Sequence, residues 1–213
     1  MKEVPQTWMS TVEKAMMQLH YRFKGDTKFI LTESDLKCWL FYELQNQKTY
    51  VPFAVHSEVT HYAEHYINND IVVEKHKFRD LSLLTPSAVI DNEEFLSKVG
   101  KEKEILKKGF KHKAPAIHFE LKFIRQGNNL NSLESDITKL NDYYPDPETA
   151  ERKFIVVWGS RCSTNNLGVL KTKFYNTINQ LNRNRNLIEF YLFDSKEMIH
   201  IRRNLANWQE IKL

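Results

Sequence analysis

Glycine and cysteine are scarce in this chain of 213 residues, which has 6 of the first and 2 of the second. So few glycines leave little room for loops that cradle phosphates. Neither G-x-G-x-x-G nor G-x-x-x-x-G-K-[ST] occurs, which removes nucleotide-binding readings of those kinds. Cys38 and Cys162 lie far apart and outside any C-x-x-C spacing. That argues against a disulfide framework or a structural zinc site and fits a reducing compartment. Long apolar runs are missing too: FIVVW at 154–158 is far too short to cross a membrane. The opening MKEVPQTWMSTVEK has no apolar signal-peptide core. A cytoplasmic protein without a membrane partner is the expectation. Charge of one sign is likewise modest, since a net +4 permits a polyanionic partner without requiring one.

What is present is the material of a core. Hydrophobic residues make up 41% and aromatics 12%, enough for one globular domain spanning 1–213. Trp8, Val12, Met16 and Leu19 recur at helical spacing, so a helix is expected over 5–22 with Pro5 in its first turn. Thr32 and Asp35 resemble a capping pair opening a helix that runs to about Gln47. Strands are expected near 51–60, 71–84, 116–123, 153–158 and 187–193, and helices near 132–143 and 167–181. The charged stretch 91–113 is expected as a helical insertion ending in a basic loop, and the segment after 193 as polar, ending in Arg202, Arg203 and Trp208. This order implies an α/β fold with a central mixed sheet and helices on both faces.

The chemistry concentrates on AIHFELKF at 116–123. Apolar and polar residues alternate there as on a half-buried strand, with Ile117, Phe119, Leu121 and Phe123 toward a core. Positions two apart on a strand point the same way, so Glu120 and Lys122 share a face with His118. Upstream, Asp80 interrupts the strand-like KFRDLSLL. If those strands are neighbours, the two carboxylates can converge on one hard divalent cation.

This arrangement resembles the PD-(D/E)XK nuclease superfamily, with its restriction-endonuclease-like core, over most of the chain. The resemblance rests on LTESDLKCWLFYEL as leading helix, KFRDLSLL and IHFELKF as the motif strands, and SLESDITKL as the helix after the motif. It implies a hydrolase, an endonuclease or exonuclease, that binds DNA, uses Mg²⁺ with Mn²⁺ as substitute, and is compatible with a homodimer. Asp80, Glu120 and the Leu121 carbonyl would hold the metal, and Lys122 would position the attacking water. Glu58, in VHSEV, would be the upstream acid, and Asp136 and Lys139 are candidates for assisting roles. Two departures stand out: Arg79 occupies the place of the name-giving proline, and forty positions separate Asp80 from Glu120.

Other readings of the same residues remain. Glu-x-Lys on a strand also describes a solvated, salt-bridged face. Glu33 suits a helix N-terminus, Glu43 a solvated position, and Cys38 inert packing in an apolar helix. The fold could also serve as a non-catalytic module that binds DNA or RNA. His61-x-x-Glu64-His65 matches a zinc-metalloprotease pattern that requires a helix, so that both histidines lie one turn apart. Lysines within 98–113 and the pairs Arg183/Arg185 and Arg202/Arg203 could meet phosphates.

Overall fold

The computed structural model describes residues 4–24, 30–47, 53–67, 70–85, 115–124, 132–141, 152–160, 165–181, 184–204 and 207–213. The expected insertion at 91–113, Arg183 and Cys162 lie outside them. Helices α1 (Gln6–Lys24) and α2 (Glu33–Asn46) come first, then strands β1 (Ala54–Ile67), β2 (Asp70–Leu84) and β3 (Ala116–Ile124). Helix α3 (Ser132–Asn141) leads to β4 (Arg152–Ser160), and α4 (Asn165–Gln180) to β5 (Ile188–Phe193). Strands β6 (Met198–Asn204) and β7 (Asn207–Lys212) close the chain.

All seven strands form one sheet in chain order. The central β3, β4 and β5 run parallel, and every outer pairing is antiparallel. Parallel neighbours need a crossover, which α3 and α4 supply, whereas the outer strands follow one another directly. The protein is therefore mixed α/β, with a seven-stranded mixed sheet flanked by helices on both faces. Trp8, Val12, Met16 and Leu19 of α1 and Leu36, Leu40 and Leu44 of α2 bury against Ile117, Phe119, Ile155 and Val157. Leu133, Ile137 and Leu140 of α3 and Leu170 and Phe174 of α4 bury against Val156, Trp158 and Phe190 on the other face.

Helix α2 begins as its sequence implies. The Asp35 N–H donates to the Thr32 hydroxyl at 3.1 Å, and Asp35 Oδ2 accepts from the Thr32 N–H at 2.9 Å. That satisfies donors a helix start otherwise leaves unpaired.

Three expectations are corrected here, and a C-terminal pair of strands is added to them. β3 is not half-solvated: every residue from Ala116 to Leu121 is buried, because helices cover both faces of a central strand. Cys38 is exposed rather than packed, since it falls on the outer side of α2. The C-terminal segment is a hairpin of strands. Its β7 is an edge strand with mostly exposed side chains, so no apolar alternation marks it. His61, Glu64 and His65 lie on β1, an extended strand. At about 3.3 Å per residue, positions four apart on a strand are separated by about 13 Å, too far to share one zinc ion.

Candidate active site

The site forms where β2 and β3 part. Their ladder runs from Leu84 opposite Ala116 to Leu81 opposite Phe119 and stops there, while β2 continues its pairing with β1. Beyond that point the Asp80 side chain replaces the missing strand partner. Its Oδ2 accepts the Leu121 N–H at 2.7 Å. A strand residue directs its N–H and C=O to the same side, so the Leu121 carbonyl opens onto the same gap as Asp80. The even-numbered neighbours Glu120 and Lys122 bracket that gap.

Glu120 is buried and carries two cations. Arg79 Nη1 donates to its Oε1 at 3.3 Å, and Lys139 Nζ to its Oε2 at 2.8 Å. Burial nonetheless raises its carboxyl from 4.5 to about 7, with Arg79 and Lys139 opposing the rise and Asp80 adding to it. Asp136, one turn before Lys139 on α3, is raised to about 6, first by burial and then by the charges of Asp80 and Glu33. Asp80 is raised by burial too, against the pull of the Leu121 N–H and Lys139. Lys122 Nζ reaches across to Glu33 Oε2 at 3.0 Å. Burial pulls its ammonium down, but Glu33, Asp136 and Asp80 outweigh that and raise it overall.

The structure thus brings together Asp80, Glu120, Lys122, Asp136 and Lys139, and adds Glu33 and Arg79. The carboxylates Asp80, Glu120, Asp136 and Glu33 lie among the cations Arg79, Lys122, Lys139 and, near Asp80, Lys37. Desolvation of Asp80, Glu120 and Asp136 favours keeping a proton in the pocket. Among the described residues, no three His, Cys, Asp or Glu side chains group as metal ligands. Glu58 sits on β1 between Ser57, opposite Leu81, and Val59, opposite Arg79, so the register places it level with Asp80.

Sequence reasoning missed Arg79 and undervalued Glu33. Arg79 is a fully buried guanidinium in the middle of a strand-like run, and its immediate neighbour in sequence is the motif acid. An arginine at that place is the signal that was available. Glu33 suits a helix start by its sequence, and only the approach of α2 to β3 couples it to Lys122. Glu43 is not solvated: it is buried and ion-paired to Arg22, away from the site. Arg202 bonds Glu13 at 3.1 Å, and Arg203 lies over the Trp208 ring.

No protein-family profile matches the chain, and no curated protein sequence does. The structure is similar to that of E. coli NucC in its cAAA-bound form, with 9% identity and a TM-score of 0.49, covering 98% of this chain and 82% of that one. It is also similar to the central domain of yeast acetyl-CoA carboxylase, with 9% identity and a TM-score of 0.35. That match covers 96% of this chain and spans 34% of the yeast chain. No helix among the described residues is long and apolar enough to cross a membrane.

Proposed function

We propose that this chain is a divalent-metal-dependent nuclease of the PD-(D/E)XK kind that hydrolyses phosphodiester bonds in DNA. One observation carries the reading: Asp80 binds the Leu121 N–H at the opening of the β2–β3 ladder, beside buried Glu120 and within the electrostatic reach of Lys122. The donor set fits a hard cation. Asp80, Glu120 and the Leu121 carbonyl supply only oxygen, the preference of Mg²⁺ and of Mn²⁺ in its place. The raised Glu120 and Asp136 support the same fit, because a cation relieves what a retained proton otherwise relieves.

Asp80 and Glu120 would hold the metal with the Leu121 carbonyl, and Glu58 stands level with them on the neighbouring strand. When bound, Mg²⁺ polarises a phosphate and lowers the pKa of a water. Lys122 contributes a fixed positive charge, held on the rigid β3 next to the acids. It orients the attacking water and stabilises the negative charge that builds on the phosphate oxygens. Glu33 holds the Lys122 amine in place until the substrate competes for it. Water is limited around Glu120 because both sheet faces are covered.

A second reading has its own support. Both Glu120 oxygens already carry cationic partners, which suits a non-catalytic nucleic-acid-binding module in which the trio is only an internal ion pair. Calorimetric Mn²⁺ titration with a DNA cleavage assay separates the two. Under the nuclease reading, Asp80→Ala loses metal affinity and cleavage together. Lys122→Ala keeps the metal and loses about 10²–10³-fold in cleavage, the scale of one transition-state donor. DNA binding without Mn²⁺ binding or cleavage in the unmutated protein would establish the module instead.

A further inference from the structure

The two cations on Glu120 are not equivalent. Arg79 has a side chain 0% exposed and lies sealed between the sheet and its covering elements. Lys139 comes from the last turn of α3 with its side chain 31% exposed, so its amine has a path to solvent. Guanidinium suits a fixed, buried pairing, whereas an ammonium on a four-carbon stem is easily moved and readily hydrated. A second acceptor waits one turn away: Asp136, at i−3 on the same helix, already feels the Lys139 charge.

We propose that Lys139 is the resident cation of this site: it neutralises Glu120 in the metal-free protein and yields that position, swinging toward Asp136, when a divalent cation binds. This rests on the reading of Glu120 as a metal ligand and adds how the metal gains access to it. Arg79 keeps its hold on Oε1 throughout and orients the carboxylate. Lys139 gives up Oε2, the oxygen it now occupies at 2.8 Å. Lys139 is therefore a positioning residue, and its exchange sets how tightly the metal binds.

Mn²⁺ affinity measured by calorimetry on Lys139→Gln, Lys139→Arg and Lys122→Gln tests this. Lys139→Gln should bind Mn²⁺ about tenfold or more tightly, because no ammonium need be displaced and one like charge is gone. Lys139→Arg keeps the charge but pairs with Glu120 more firmly, so it should bind Mn²⁺ no more tightly than the unmutated protein. Lys122→Gln removes the same charge from the same pocket without vacating Glu120, so its gain should be smaller than that of Lys139→Gln. Lys139→Met, which retains the aliphatic stem, is read in the same way if the glutamine variant does not fold. An affinity for Lys139→Gln or Lys139→Met no higher than that of the unmutated protein, or no higher than that of Lys122→Gln, overturns the proposal. Asp80→Ala serves as the separate control: Mn²⁺ binding undiminished there means that the nuclease reading itself has failed. If Asp80→Ala loses the metal while Lys139→Gln changes nothing, only the exchange is wrong.

Discussion

Replacing Glu120 with glutamine removes one titrating group and leaves a neutral side chain of nearly the same shape. In the native protein, burial raises this carboxyl from 4.5 to about 7 in spite of Arg79 and Lys139. A raised carboxyl binds its proton more tightly in the folded than in the unfolded chain. Its contribution to stability is therefore complete below about 4.5 and is lost as pH rises through about 7. A gap of about 2.5 units corresponds to about 3 kcal/mol at about 1.36 kcal/mol per unit. Glu120 is only 3% exposed, so solvent screens little of this. Urea unfolding in metal-free buffer between pH 5 and pH 8 reads the effect. The unmutated protein should lose up to about 3 kcal/mol more across that window than Glu120→Gln. Asp80 and Asp136 are raised in the same direction, but they titrate in both proteins and largely cancel in the difference. Saturating Mn²⁺ should flatten the slope of the unmutated protein, because a cation favours the ionised carboxylate, and should leave the variant unchanged. Equal slopes without metal would mean that Arg79 and Lys139 hold Glu120 ionised throughout, and the reasoning from burial would be refuted.

Three further outcomes are expected. Gly159→Ala places a methyl 2.9 Å from Phe193 Cζ and 3.2 Å from Phe123 Cδ2, so thermal unfolding should show a loss of about 1–3 kcal/mol from overpacking. Thr32→Ala breaks the capping pair with Asp35 and should cost about 1 kcal/mol in urea unfolding. It should also weaken the Glu33 contact to Lys122, because Glu33 begins the helix that the cap fixes. Binding of duplex DNA in Ca²⁺ should fall steeply between low and moderate salt as phosphate counterions are displaced; an isotherm insensitive to salt would remove nucleic acid as the partner.

Local chemistry made much of the fold legible. Thr32 and Asp35 announce α2 because capping is decided within four residues. Trp8, Val12, Met16 and Leu19 announce α1 because burial on one helix face leaves a repeat in the sequence. The apolar run of β4 reads as a strand buried on both sides. β3 misleads because His118 and Glu120 restore an alternation that usually means a wet face; here His118 bonds Ser82 and Glu120 bonds Arg79 and Lys139 instead. Polar alternation reports residue chemistry, and only the packing of α3 and α4 decides whether that face meets water. The site follows the same division. Asp80, Glu120 and Lys122 were legible because they sit on two strand segments with fixed parity. Asp136 and Lys139 follow from the helix after the motif, but the pairings of Arg79 and Lys139 with Glu120 and of Glu33 with Lys122 do not, because each joins elements distant in sequence.

Stability alone gives no reason to bury the trio Arg79, Glu120 and Lys139. Desolvating an ion costs several kcal/mol, and the attraction regained inside rarely exceeds that cost by much. Apolar residues of similar volume usually do as well or better. The combined variant Arg79→Met, Glu120→Leu, Lys139→Met should therefore be neutral or more stable by about 1–4 kcal/mol, while losing Mn²⁺ binding. Arg79→Met alone should behave in the opposite way. At pH 8 it leaves buried Glu120 either ionised with Lys139 as its one remaining described cation or protonated against the solution pH, and should cost about 3–5 kcal/mol. Urea unfolding of both variants at pH 8 compares them directly. If the triple variant is as unstable as the single one, the trio is part of the architecture. If the triple variant is stable and has lost the Mn²⁺ binding of the unmutated protein, the charges of this trio are kept for chemistry.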